Sequence, residues 1–387
     1  MSGEPLALYV HWPFCVSKCP YCDFNSHVRD TIDQEQWRDA LLADLAHEAA
    51  LLPGRKLSSI FFGGGTPSLM DPRTVEAIIH AATNHWVPAA DLEITLEANP
   101  NSVEAARFAD LSKAGVNRLS LGLQSFDDDA LRFLGRAHSS REGFAALEIA
   151  QKNFRRVSFD LIYAMPGETE SSWSASLAQA LSLGTSHLSL YQLTIEPGTR
   201  FATMVARGQF EPLDPESAAA LYELTDGMTS AAGIASYEIS NYARAGQQSR
   251  HNLAYWRYGD YAGIGPGAHG RRVGMRTMRH RKPENFLSAV QRNGHGILEE
   301  AVLSRTEAAD EALVMGLRLR EGVDAGAIAE RFGLGPVVDW SRVERLVVSG
   351  HLTLDGTRIA LTAAGRLLLD HILGEIAAAE PNYAVAS

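Results

Sequence analysis

Six apolar, β-branched runs alternate with amphipathic segments along the first half of the chain. The runs cover residues 6–12, 58–62, 92–98, 118–124, 156–163 and 187–194, and helical periodicity falls near 34–52, 73–86, 103–114, 141–153 and 171–182. A parallel connection between strands needs a crossover long enough for a helix, so this alternation predicts a parallel sheet. Asp33, with Gln36 three residues on, and Ser102 read as helix N-caps; Gly115 reads as a helix-ending glycine. Six units stop short of the eight in a full barrel. The expected fold class is α/β, either an incomplete parallel (β/α)6 barrel or an open doubly wound sheet.

The distinctive polar residues sit where those runs end. The first run delivers a loop with Cys15, Cys19 and Cys22, and the second enters Gly63-Gly64-Gly65-Thr66-Pro67. The third ends in Glu97-Ala98-Asn99-Pro100, the fourth in Gln124-Ser125-Phe126, and the fifth contains Asp160. Reactive groups of β/α barrels collect at that edge of the strands. The glycine run lacks the lysine of a P-loop and the spacing of a dinucleotide fingerprint. It reads as a tight turn or as a backbone that approaches a small ligand closely.

The three cysteines are the only ones in 387 residues, which leaves none for a disulfide elsewhere. Thiolates suit iron–sulfur clusters, zinc or copper(I). A [4Fe–4S] cube usually takes four cysteines; with three, one iron keeps a position open for a substrate or cofactor. The competing reading is a Cys3His zinc site completed by His11 or His27.

Apolar content of 45% and charged content of 21% suit a globular chain of two or three domains. The formal net charge of −11 and a pI near 5.6 exclude broad nucleic-acid binding. Arg271, Arg272, Arg276, Arg279, Arg281 and Lys282 form a basic stretch, read as a solvated loop, with a clamp for ligand carboxylates as the sharper reading. The N-terminus carries no secretory pattern and no run is long enough to cross a bilayer. The expected compartment is cytoplasmic, where thiols stay reduced.

Residues 197–214 read as a connection, 215–231 as a helix and 236–240 as a strand. Arg250–Trp256 and Tyr261–Gly270 are rich in aromatics, glycine and histidine. They read as a packed aromatic corner or as a pocket for a flat ligand, with His251 ligating a metal. Helices are expected at 305–320, 324–332 and 338–348, and a hairpin at 351–354 and 358–361 around Asp355-Gly356. A final helix, Ala363–Ala379, and a disordered tail from Pro381 close a winged-helix-like α+β module with no basic face. The expected domains are 1–232, 233–300 and 301–380.

Cys-x3-Cys-x2-Cys resembles the hallmark of the radical S-adenosylmethionine (SAM) superfamily. Tyr9-Val-His-Trp-Pro-Phe-Cys15, Gly63–Pro67, Glu97–Pro100, Gly122-Leu-Gln-Ser-Phe126, Gly135-Arg136 and Asp160-Leu-Ile-Tyr-Ala-Met-Pro-Gly167 resemble its oxygen-independent coproporphyrinogen III oxidase group. The likeness runs from residue 6 through the C-terminal module. It implies a radical-SAM barrel holding a [4Fe–4S] cluster on Cys15, Cys19 and Cys22, with SAM chelating the open iron. It implies Tyr9 beside cluster and SAM, and Gly64, Gly65 and Thr66 at the methionine amino end. Glu97, Gln124, Arg136 and Asp160 would bind the methionine carboxylate and ribose; Tyr21 and Asp23 of the cysteine loop join the cofactor-binding set. One-electron reduction of the sulfonium would then yield a 5′-deoxyadenosyl radical.

Two branches share these motifs. The oxidases resemble a pattern with a further cysteine two residues after the third, and with a longer arm before the tyrosine. Here Phe24 holds that position and eight residues precede Tyr9. The heme-chaperone branch resembles Cys22-Asp23-Phe24 and His251-Asn252-Leu253-Ala254-Tyr255-Trp256. The resemblance therefore implies a heme chaperone that binds heme near His251 and passes it to acceptor hemoproteins, such as membrane respiratory enzymes, as a cluster-dependent dimer. Oxidative decarboxylation of coproporphyrinogen III is the alternative.

Overall fold

A computed structural model of the chain describes residues 5–377. The expected tail from Pro381 and the last residues of the expected final helix lie outside the described residues. The six expected strands form as β1 (Pro5–Trp12), β2 (Lys56–Gly64), β3 (Val87–Ala98), β4 (Arg118–Gln124), β5 (Arg156–Tyr163) and β6 (His187–Gln192). They lie side by side in chain order and pair in parallel. Helices α1 (Gln34–Leu51), α2 (Pro72–His85), α3 (Ser140–Asn153) and α4 (Glu170–Ser182) lie in the crossovers.

Successive strand residues face opposite sides of a sheet. Leu6, Leu8, Val10 and Trp12 of β1 join Leu119, Leu121 and Leu123 of β4 in the main apolar core. The alternate residues, among them Tyr9, His11, Ser120 and Gln124, are left for the inner face. The functional side chains are thus a by-product of strand periodicity.

The sheet does not close. Beyond β6 lie α5 (Pro215–Ala231), two short strands β7 (Ala235–Ser236) and β8 (Asn241–Ala243), and helix α6 (Arg250–Trp256). Strand β9 (Tyr261–Ile264) then pairs in parallel with β1 on its free side. Strands β10 (His269–Arg272), β11 (Met275–Arg279) and β12 (Ile297–Val302) extend that side antiparallel. The order is β12-β11-β10-β9-β1-β2-β3-β4-β5-β6-β8-β7. The stretch 261–270 is thus two strands and a turn. Its glycines answer crowding: a Cβ on Gly263 would lie 1.8 Å from the His269 carbonyl oxygen.

Most of the basic stretch is not a solvated loop but part of two strands. Arg272 and Arg279 are carried on β10 and β11 and buried against α1. Arg279 Nη2 donates to Glu48 (2.6 Å) and its Nε to Asp44 (3.3 Å), while Arg272 Nε donates to Glu48 (3.0 Å). The Arg271 guanidinium lies 3.6 Å from the centre of the Tyr258 ring. Asp44 also accepts from the backbone N–H of Gly265 and Gly296. This buried charge set clasps the added strands onto α1.

Other differences are local. The Asp33 cap forms, accepting from the Gln36 N–H. The helix expected at 103–114 breaks into Ser102–Ala105 and Phe108–Lys113, and Asn101 rather than Ser102 caps it. Of the strand expected at 236–240 only Ser236 is in a strand, as the end of β7; residues 237–240 form the turn to β8. A short helix at Arg200–Ala206 lies in the segment read as a connection, and another forms at Asp128–Phe133, for which no element was expected.

The C-terminal module contains α7 (Arg305–Leu317), α8 (Ala325–Phe332) and α9 (Trp340–Val348). Strands β13 (Val323–Asp324), β14 (Leu352–Asp355) and β15 (Arg358–Leu361) form its small sheet. The closing helix is two pieces, Ala363–Arg366 and Leu369–Ile376. Leu313, Val343, Ile359 and Ile372 belong to a second core. Arg366 ties the module to Asp226 of α5 at 2.9 Å.

Removing one member of a buried ion pair strands its partners. Arg279→Ala should cost about 3–5 kcal/mol, read as a lower urea midpoint. An unchanged midpoint would show that the clasp contributes nothing to stability.

Candidate functional site

Cys15 ends a two-residue strand, Phe14–Cys15, that pairs with His27–Val28 and folds the cysteine loop back on itself. The Cys22 N–H donates to the Cys19 carbonyl (3.2 Å), closing the turn between them. All three thiols are free and partly exposed. Thr66 Oγ1 approaches Cys15 Sγ at 3.4 Å and Arg136 Nη1 approaches Cys19 Sγ at 3.5 Å. Burial pushes the Cys15 and Cys22 thiols up, so thiolate ligation would release protons. Gly135 is required beneath this loop: its φ is +66°, and a Cβ would meet Pro20 at 2.6 Å.

No three His, Cys, Asp or Glu side chains among the described residues are grouped to hold a single metal ion. A cube spreads its ligands over several irons and does not need the sulfurs to meet at one point. His11 offers no lone pair to zinc. Its Nε2 is 2.9 Å from the Asn25 carbonyl, which can only accept, so Nδ1 accepts from the Tyr9 hydroxyl at 3.0 Å. Burial accordingly pushes His11 down to about 4.

A cavity of about 200 Å³ joins the cysteine loop to the strand ends and is lined by Gly64, Gly65, Thr66, Glu97, Gln124, Arg136 and Asp160. Glu97 accepts from the Gly64 N–H (3.2 Å), Ser120 donates to Asp160 (3.3 Å), and Arg136 donates to Asn99 (2.6 Å) and the Gly122 carbonyl (3.0 Å). A Cβ on Gly64 would strike the His11 ring, and one on Gly65 the Phe14 backbone. Gln124 Oε1 and Arg136 Nε are buried without hydrogen-bond partners. Gln124 also holds a left-handed backbone, φ 67°. Strain and orphaned polar atoms in one cavity mark a ligand site. The residues fit SAM bound to a cluster: Gln124 Oε1 and Arg136 Nε are unsatisfied, and the glycines let backbone line the same space. Burial, then the Asp160 charge, pushes Glu97 up to about 8; burial pushes Asp160 up to about 6.

His251 lies in a separate cavity of about 660 Å³, walled by Tyr9, Phe61, Tyr255, Trp256 and Tyr261. Ser249 caps α6, accepting from the Asn252 N–H. Glu93 accepts from the N–H of Arg250 (2.9 Å) and His251 (3.4 Å), a carboxylate at a helix N-terminus. Arg156 holds Glu93 at 2.5 Å and donates to the carbonyls of Gln247 (2.7 Å) and Gln248 (3.0 Å). The His251 ring stacks on Phe61, centroids 4.9 Å apart, with Nδ1 3.2 Å from Ser59 Oγ. Burial, helped by the Arg118 charge, pushes its pKa down to about 3, so the imidazole is neutral at physiological pH.

Most of the expected site residues meet at the cysteine cavity. Tyr9 does not: it faces His251, 6.1 Å between ring centroids. Asp23 lines a third cavity of about 590 Å³, shared with Tyr21, Glu97, Gln124 and Asp160. Phe24 borders all three cavities and is 62% exposed. Glu93 and Arg156 were missed, and Asn99 was named only as part of a motif; the pairing of Glu93 with Arg156 is tertiary and no local pattern marks it.

A radical SAM superfamily domain matches residues 9–180 and a HemN C-terminal domain matches residues 303–368. The chain is similar to the mitochondrial radical S-adenosyl methionine domain-containing protein 1 of Bos taurus, 38% identical over 390 residues, covering 96% of this chain and 87% of that protein. It is 38% identical over 379 residues to the heme chaperone HemW of Escherichia coli, covering 95% and 97%. For the HemW of Mycobacterium tuberculosis H37Rv the identity is 36% over 379 residues, covering 96% and 95%. The solved structure of coproporphyrinogen III oxidase (HemN) from Escherichia coli matches with a TM-score of 0.80 and 24% identity, over 96% of this chain and 90% of that one.

Each of Cys15→Ala, Cys19→Ala and Cys22→Ala should prevent cluster assembly, read as loss of the charge-transfer absorbance after anaerobic reconstitution. A full cluster in any of them would remove that thiol from the ligand set. Glu97 keeps its proton when folded at pH values where the unfolded chain has lost it. Relative to Glu97→Gln, the cluster-free wild type should therefore lose melting temperature as pH rises from about 4.5 to about 8. Parallel curves would show an ordinary carboxyl.

Proposed function

We propose that this chain, which belongs to the radical SAM superfamily and within it to the family of the heme chaperone HemW, binds heme beside His251 and passes it to acceptor hemoproteins. The observation that carries this reading is a neutral imidazole in the wall of an aromatic cavity of about 660 Å³. Such a ring offers a lone pair to iron, and the neighbouring rings offer apolar faces to a flat macrocycle. Ser59 at Nδ1 would fix the ring so that Nε2 is the ligand atom.

Cys15, Cys19 and Cys22 would hold a [4Fe–4S] cluster, and the backbone at Gly64 and Gly65 would receive the methionine end of SAM. Arg136 suits the methionine carboxylate through its charge and its unpartnered Nε–H. Glu97, Gln124 and Asp160 would orient the ribose, and Tyr21 and Asp23 would close the cysteine loop over it. When bound, cluster and SAM supply one-electron chemistry. In place of a fourth loop cysteine, Phe24 presents an apolar ring where the three cavities meet. The acceptors in this reading are hemoproteins such as membrane respiratory enzymes, the cluster favours a homodimer, and the compartment is the cytoplasm. Among the described residues, no helix is long and apolar enough to cross a membrane.

The test is anaerobic reconstitution followed by heme titration watched by absorbance. His251→Ala should weaken heme binding by roughly tenfold or more and shift the Soret band, with cluster absorbance intact. An unchanged affinity and spectrum would end the ligand assignment. Coproporphyrinogen III offered with SAM should yield no protoporphyrinogen; its formation would make the chain an oxidase.

A further inference from the structure

We propose that Arg281 and Arg318 form a carboxylate-binding pair at the His251 cavity, placed to take the two propionates of a porphyrin; this rests on the reading that heme occupies that cavity. They are the two arginines among its lining residues, and no lysine lines it. They come from different parts of the fold. Arg281 follows β11, at the end of the basic stretch, and Arg318 is the C-cap of α7 in the C-terminal module.

Neither guanidinium is committed elsewhere in the way its neighbours are. Arg272 and Arg279 are locked onto Asp44 and Glu48, and Arg271 onto the Tyr258 ring. Arg281 makes no ion pair among the described residues; only its backbone carbonyl is used, accepting from Asn25 Nδ2 at 2.9 Å. Arg318 stands 3.6 Å from Asp370, whose side chain is 89% exposed, and 5.7 Å from the centre of the Trp256 ring. An exposed pair of that kind is weak and exchanges readily. The one carboxylate lining the cavity, Glu238, already accepts from Asn241 Nδ2 and the Ser240 N–H.

The chemistry follows from the ligand class. A porphyrin is an apolar disc with two carboxylates on one edge. Aromatic walls satisfy the disc, but a desolvated carboxylate needs a charge-assisted partner. Guanidinium groups supply it with two parallel N–H donors. The pair would select porphyrins that keep their carboxylates and fix which edge of the disc lies toward the module.

The probes are hemin and its dimethyl ester, titrated into the wild type, Arg281→Gln/Arg318→Gln, Arg276→Gln and His251→Ala. The wild type should prefer hemin by about tenfold or more. The double variant should lose that preference while keeping the wild-type Soret position, and Arg276→Gln, from the same basic stretch outside the cavity, should behave as wild type. Each single variant, and Arg281→Lys, should show a partial loss, which keeps the test readable if the double variant melts early. A preference that survives in the double variant overturns the inference and leaves the heme reading standing, provided His251→Ala still shifts the Soret band. Equal loss in Arg276→Gln would reduce the effect to general charge and overturn it as well. A Soret band untouched by His251→Ala would bring down the heme reading itself.

Discussion

A carboxyl buried in a parallel sheet must either keep its proton or be paired, and Glu93 is held by Arg156. That one ion pair joins the two halves of the site. Glu93 receives the first N–H groups of α6 and so fixes where His251 stands. Four residues along the same strand, on the same face, Glu97 receives the N–H of Gly64. A single strand therefore sets both the glycine loop at the cysteine cavity and the helix at the aromatic cavity. Any slip in its register would move both sites at once.

The electrostatics of the cysteine cavity follow from the same geometry. Glu97 and Asp160 are brought together from β3 and β5, and both are pushed up by burial. Two such carboxyls favour a ligand that brings positive charge or hydroxyl donors. At the aromatic cavity, burial and Arg118 strip His251 of its proton over the whole physiological range. The same inner layer thus prepares a cation-preferring pocket and a metal-ready imidazole from one set of buried polar residues.

Much of this was legible in the sequence because it depends on local periodicity. Strands β1 to β6 are apolar runs bounded by turns, and the residues at their ends were named by position alone. The cysteine loop was legible because its spacing is local too. Strand β9 was not, since Tyr261-Ala-Gly-Ile has no long β-branched run and becomes a strand only by pairing with β1. Nor were the roles of Asp44, Glu48 and Arg279, which pair across more than two hundred residues of chain. Tyr9 was placed beside the cluster by resemblance; the contacts of its hydroxyl with His11 and of its ring with His251 had no signal in the sequence. Such partnerships are tertiary, and nothing in a strand or helix pattern announces them.

Asn25 closes the cysteine loop by donating to the carbonyls of Pro266 and Arg281, 241 and 256 residues further along the chain. The cysteine motif precedes both of these anchors in the chain, so its loop gains its last two hydrogen bonds only when the hairpin of β10 and β11 has been made. The finished shape of the cysteine loop thus depends on completion of the sheet and not only on the presence of the cysteines. A truncation anywhere before residue 282 would leave an N-terminal motif that is chemically intact and structurally unfinished.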